Sequence, residues 1–136
     1  MTTPRRLALA TATALSAALL VPAAPAQASR QPIKNTAYTG SVQSGDTLVT
    51  ATTRIGSSKA KVKRFTFEVT CPEGSVKKTF RNLKIVDSSF GRDVGGVGFA
   101  ADYNIRGVWF SKHKLNVILY VNKQPCATQV DFYTKG

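Results

Sequence analysis

The sequence predicts an all-β protein: a single antiparallel β-sandwich, Ig-like in general appearance, behind a cleaved signal peptide and closed by one disulfide. Three observations predict it. Past the N-terminal leader, apolar residues recur with a period of two rather than 3.6, as in Phe65, Phe67, Val69 and Cys71, and that period is the signature of a half-buried strand. Glycines punctuate the chain at short intervals, Gly40, Gly45, Gly56, Gly74, Gly91 and Gly107 among them, as many short strands joined by turns require. The two cysteines, Cys71 and Cys126, both follow the leader.

The leader comes first in the chain. Thr2 to Arg6 is a short positive head, Leu7 to Val21 is apolar and uncharged, and Ala26-Gln27-Ala28 is a small-x-small cleavage signal. Residues 1–28 therefore read as a secretory signal peptide. A membrane anchor is the rival reading, but a bilayer span takes roughly 20 apolar residues, and Pro22 and Pro25 stop any helix from lengthening. Arg5-Arg6 lies in a context that suits the twin-arginine route poorly. No cysteine follows the apolar run to carry a lipid. The expectation is a secreted, extracellular protein with no integral membrane span in its mature chain.

Removing 28 of the 136 residues leaves 108, enough for one domain with one modest core. Of 19 Lys and Arg residues 17 remain, against all seven acids, so the mature net charge is about +10. An even cysteine count in an exported chain favours a disulfide. A metal site or a redox pair is the alternative, which the lack of C-x-x-C spacing and the single histidine weaken.

Residues 29–36 form a polar, flexible lead-in, and the β domain covers 37–136. Asp46 to Thr52 reads as a strand. Lys59, Lys61 and Lys63 alternate and would share a face, with Arg64 following. Arg64 to Cys71 alternates strictly and ends in the turn Cys71-Pro72-Glu73-Gly74. Asn82 to Asp87 and Val97 to Tyr103 are further candidate strands. Between them, Gly91 to Gly98 reads as a flexible inter-strand loop, and Phe90 before it as a core plug. Ile105 to Ser111 and Leu115 to Val121 flank the charged turn Lys112-His113-Lys114, a hairpin-like layout. The last strand starts at Cys126 and places Thr128, Val130 and Phe132 on one face.

This layout, Phe65-x-Phe67-x-Val69-x-Cys71-Pro72-x-Gly74, then Phe90, Ile105-x-Gly107-x-x-Phe110-Ser111 and Cys126-x-x-x-Val130-x-Phe132, resembles small secreted two-cysteine β-sandwich proteins of high-GC Gram-positive bacteria. The resemblance implies a sandwich with a Cys71–Cys126 bridge, and it brings no catalytic residues. The chain departs from it at Ala127-Thr128, where a glycine turn is often seen.

Catalytic constellations are sparse. His113 lies between two lysines and reads as a solvated turn residue, because a general base needs a paired group. No nucleophile motif such as G-x-S-x-G occurs. The Gly91–Gly98 segment lacks the Gly-Lys-Ser/Thr ending of a nucleotide loop. The acids form no calcium loop, and a Glu68–Asp131 pair of glycosidase type reads better as salt-bridge material. No catalytic residue, metal site or cofactor is expected.

The basic residues remain. Three runs are the anion-binding candidates: Lys59, Lys61, Lys63 and Arg64; Lys77, Lys78, Arg81 and Lys84; and Lys112 and Lys114, with Lys123 beyond. Such charge draws polyanions toward a protein, although lysines also blunt sheet edges. The expectation is a secreted non-enzymatic basic protein whose partner is an anionic cell-envelope polymer or an extracellular protein. A secreted enzyme inhibitor or toxin-like protein, inserting the Cys71–Gly74 or Lys112–Lys114 loop into its target, is the alternative. A small hydrolase or nuclease using His113 comes third.

Overall fold

Alternation in the sequence becomes eight strands: β1 Ala37–Ser44, β2 Thr47–Ile55, β3 Lys61–Cys71, β4 Gly74–Lys84, β5 Ser89–Val94, β6 Tyr103–Ser111, β7 Lys114–Val121 and β8 Thr128–Lys135. The structure is a computed structural model and describes residues 30–136. The expected signal peptide, residues 1–28, lies outside the described residues, as does Ser29.

Every pairing is antiparallel, and all eight strands belong to one sheet in the order β4-β3-β2-β1-β8-β7-β6-β5. The sheet is nearly closed: β1 meets β8, while β4 and β5 are its two edges. Two-residue connections turn the chain at β1–β2, β3–β4 and β6–β7. Gly45 supplies a left-handed φ of 59° in the first of these, which glycine adopts without steric cost.

One face of β2, β3, β6, β7 and β8 is buried. Phe65, Phe67 and Val69 of β3 meet Ile105 and Trp109 of β6 and Leu115, Val117 and Leu119 of β7 in one cluster. Aromatic rings tie the β1–β4 half to the β5–β8 half: Phe65 packs on Phe90 with centroids 5.6 Å apart, Phe67 on Tyr103 at 5.9 Å, and Tyr38 on Trp109 at 5.8 Å. Phe90 plugs the core as expected. Its ring passes over Gly107, where a Cβ would stand 2.2 Å from it. That approach explains the glycine in the middle of β6.

Cys71 and Cys126 are bonded. The bond joins the end of β3 to the loop before β8, elements that β2 and β1 separate in the sheet. It thus staples one end of the curled sheet.

Four expectations change. β4 runs Gly74–Lys84, so the strand expected at Asn82–Asp87 holds only to Lys84; Asp87 and Ser88 have positive φ and turn the chain toward β5, while Asn82, also at positive φ, stays within the β3–β4 ladder. Val97–Tyr103 is no strand before Tyr103, because Gly95, Gly96 and Gly98 take positive φ and Gly98–Ala100 is a 3-10 turn. The Gly91–Gly98 segment is half strand, since β5 extends to Val94. Gly91 serves close packing there: a Cβ would meet Arg106 Nη1 at 2.6 Å. Cys126 precedes β8 rather than opening it, because the ladder with β7 begins only at Thr128, opposite Val121.

Candidate anion-binding site

Up-and-down strand order sorts the connections into two ends. The β2–β3, β4–β5 and β6–β7 connections, the segment 30–36 and Gly136 gather at one end. The β1–β2, β3–β4, β5–β6 and β7–β8 connections and the disulfide gather at the other. The first end is strongly basic. Its connections carry Arg30, Lys34, Lys59 and Lys112, with Asp87 as their one acid. The strand ends beneath them add Lys61, Lys84, Lys114 and Lys135. The opposite connections carry Asp46, Glu73 and Asp102 against Lys123.

Below the basic rim the β2–β3 ladder carries a β-bulge. Ile55 pairs with Val62 but Arg54 pairs with Arg64, so Lys63 is an extra residue in β3. The bulge shifts the alternation, and Lys61, Lys63 and Arg64 all point outward while Val62 and Phe65 point in. Arg64, the last residue of the regular ladder before the bulge, stands opposite Arg54 on one side and Arg81 on the other. Three arginines lie in one row across β2, β3 and β4, and Lys61 stands opposite Lys84 nearer the rim.

Like charges directly opposite each other destabilise a sheet, and nothing in the row offsets them. The ion pairs among the described residues are Arg106–Asp93, at 3.2 Å, and Lys123–Asp102, at 3.8 Å. Neither involves the row. The next row away from the rim is Thr39–Thr52–Thr66–Thr79, with the Thr66 and Thr79 hydroxyls 3.1 Å apart. Fork-shaped guanidinium donors beside a ladder of hydroxyl donors suit oxyanions such as phosphate or carboxylate.

The rim is held together by backbone. Asn35 N–H donates to Gly56 O at 2.9 Å, Ile55 N–H to Thr36 O at 2.8 Å, Ile85 N–H to Ala60 O at 2.9 Å and Gly136 N–H to His113 O at 3.1 Å. The Tyr38 hydroxyl donates to Lys112 O and accepts from Ile33 N–H. Residues 30–36 are thereby tied onto the rim, and Pro32 is buried. His113 lies in the β6–β7 turn with Nδ1 2.8 Å from Gly136 O.

Of the ten candidates, Lys59, Lys61, Lys63, Arg64, Arg81, Lys84, Lys112 and Lys114 lie at this end or in the row beneath it. Lys77 and Lys78 do not join them. Lys77 stands lower on β4, opposite Glu68. Lys78 is opposite inward-facing Phe67, with its ammonium 5.4 Å from the Tyr103 ring centroid. Arg92 of β5 is likewise opposite inward-facing Ile105. Each edge strand thus carries an inward-register cation, which discourages strand addition at the open edge. Sequence reasoning missed Arg30, Lys34, Arg54 and Lys135. Arg54 was legible in principle, alternating with Thr50 and Thr52, but its row exists only once three strands are paired. Glu68 and Asp131 lie on β3 and β8, with β2 and β1 between them, and Asp131 accepts from Asn116 Nδ2.

Among the described residues no group of three or more His, Cys, Asp or Glu could hold a metal ion, and no helix is long and apolar enough to cross a membrane. No family model, curated protein or solved structure matches the chain.

Proposed function

We propose that the chain is a secreted, non-enzymatic binding protein whose basic end engages an anionic partner of the cell envelope. One observation carries the reading: the Arg54–Arg64–Arg81 row, without an acid partner, beneath a rim of lysines. A sheet that sets three like charges side by side gives up stability for it, and a bound polyanion would return that stability. The curled sheet serves as a sandwich-like scaffold, β1–β4 forming one layer and β5–β8 the other. The disulfide and buried aromatics keep the row rigid, so little ordering is lost on binding.

The test uses poly(glycerol phosphate) as a soluble polyanion at low and high salt. Binding should be salt-dependent. It should weaken at least tenfold in the triple variant Arg54→Gln, Arg64→Gln, Arg81→Gln. The control variant Lys77→Gln, Lys78→Gln removes nearly as much charge away from the rim and should bind within a few-fold of wild type. Equal losses in both variants would mean that only net charge matters.

A further inference from the structure

Exposed aromatics beside the basic rim suggest which anionic partner is engaged. Phe110 of β6 is 55% exposed and Tyr133 of β8 is 47% exposed. They meet edge-to-face across β7, with centroids 5.7 Å apart. Lys114 Nζ lies 4.0 Å over the Tyr133 ring, and Lys114 pairs with Lys135 at the rim. Val108, also exposed, continues the apolar patch down β6. We propose that the basic end docks on an anionic lipid surface, with Phe110 and Tyr133 entering the headgroup layer and the rim lysines contacting lipid phosphates. This rests on the reading of the basic end given above and adds the lipid partner.

Charge complementarity selects that occupant. Aromatic rings flanked by lysines match the boundary between headgroups and acyl chains, and each basic residue near an anionic leaflet adds to the attraction. A soluble polymer of alditol phosphates would use the cations but give the two rings nothing to enter. Val97 and Phe99 are more exposed, at 83% and 78%, but they belong to the opposite end with Asp46, Glu73 and Asp102. An anionic surface would repel that end. Asp131, which stands opposite Ile118 on the outer side of β8, marks the lower limit of the footprint.

Co-sedimentation with vesicles of phosphatidylcholine and phosphatidylglycerol tests this, with pure phosphatidylcholine vesicles and poly(glycerol phosphate) as comparison probes. Both rings are about half exposed, so Phe110→Ser with Tyr133→Ser should stay folded, melting only a few degrees lower as the ring pair and the Lys114 contact are lost. That variant should bind the mixed vesicles roughly tenfold or more weakly, because the apolar contribution is lost. Its polymer binding should be unchanged. In a Phe110→Trp variant, emission should shift to the blue with mixed vesicles but not with polymer. Unchanged vesicle binding by the Ser variant, or unshifted emission, would overturn the proposal. Polymer binding without vesicle binding would overturn it too while leaving the basic end as the site. Loss of both would remove the basic-end reading itself.

Discussion

Arg64→Gln should make the protein more stable and a weaker binder at once. Arg64 lies between Arg54 and Arg81 in register, and facing Cα atoms in such pairs are roughly 5 Å apart. Two unit charges 5–7 Å apart repel by about 0.6–0.8 kcal/mol in water, and by more where water is partly excluded. Arg64 is half-buried, so removing its charge relieves two such contacts, about 1.2–1.6 kcal/mol together at low ionic strength. Glutamine keeps most of the aliphatic stem and loses a few tenths of that gain in packing. For a domain of this size Tm should rise by about 4–8 °C per kcal/mol. Calorimetry in low salt should show the rise, and in about 1 M salt, where the screening length is near 3 Å, it should vanish. In parallel, the slope of log affinity for poly(glycerol phosphate) against log salt should shallow by about one. A variant that melts lower than wild type in low salt and binds equally well would refute the row as a site held at a cost in stability.

Further outcomes follow from the fold. Replacing Cys71 and Cys126 together by serine opens a loop of 55 residues in sequence separation and should cost about 4 kcal/mol in denaturant unfolding; a loss below about 1 kcal/mol would mean that the ladder alone holds that end. Gly107→Ala sets a methyl 2.2 Å from the Phe90 ring and should lower stability by about 1–3 kcal/mol, measured by urea titration; partial recovery in Gly107→Ala with Phe90→Leu would confirm the clash. Tyr38→Phe removes the hydroxyl shared by Ile33 N–H and Lys112 O and should cost about 1–2 kcal/mol. It should also speed amide exchange at Ile33 relative to β3, and unchanged exchange would show that residues 30–36 hold the rim without it.

Strands whose one face is apolar were readable residue by residue. Phe65-x-Phe67-x-Val69 and Leu115-x-Val117-x-Leu119 announce strands because one face must be buried, and a slip of one residue would expose every ring. β4 escaped notice because Lys77, Lys78 and Arg81 disguise it: an edge strand has little apolar face to show, and its register comes from β3. Val97-x-Phe99-x-Ala101 misled for the opposite reason. Its alternation is genuine in the sequence, but glycines at positive φ turn it into a loop that leaves Val97 and Phe99 in water.

Composition and local pattern determined that this chain is all-β, basic and able to form one disulfide, because burial of alternate side chains and charge balance are properties of short segments. Tertiary structure decided where the charge goes. Lys59, Lys84 and Lys112 are far apart in the chain and share one end because strands that run up and down return alternate turns to the same side. Arg54, Arg64 and Arg81 share a row because the regular ladders of β2, β3 and β4 set them opposite one another, one step before the bulge at Lys63. No local pattern encodes that alignment, which depends on which strands pair and in what register.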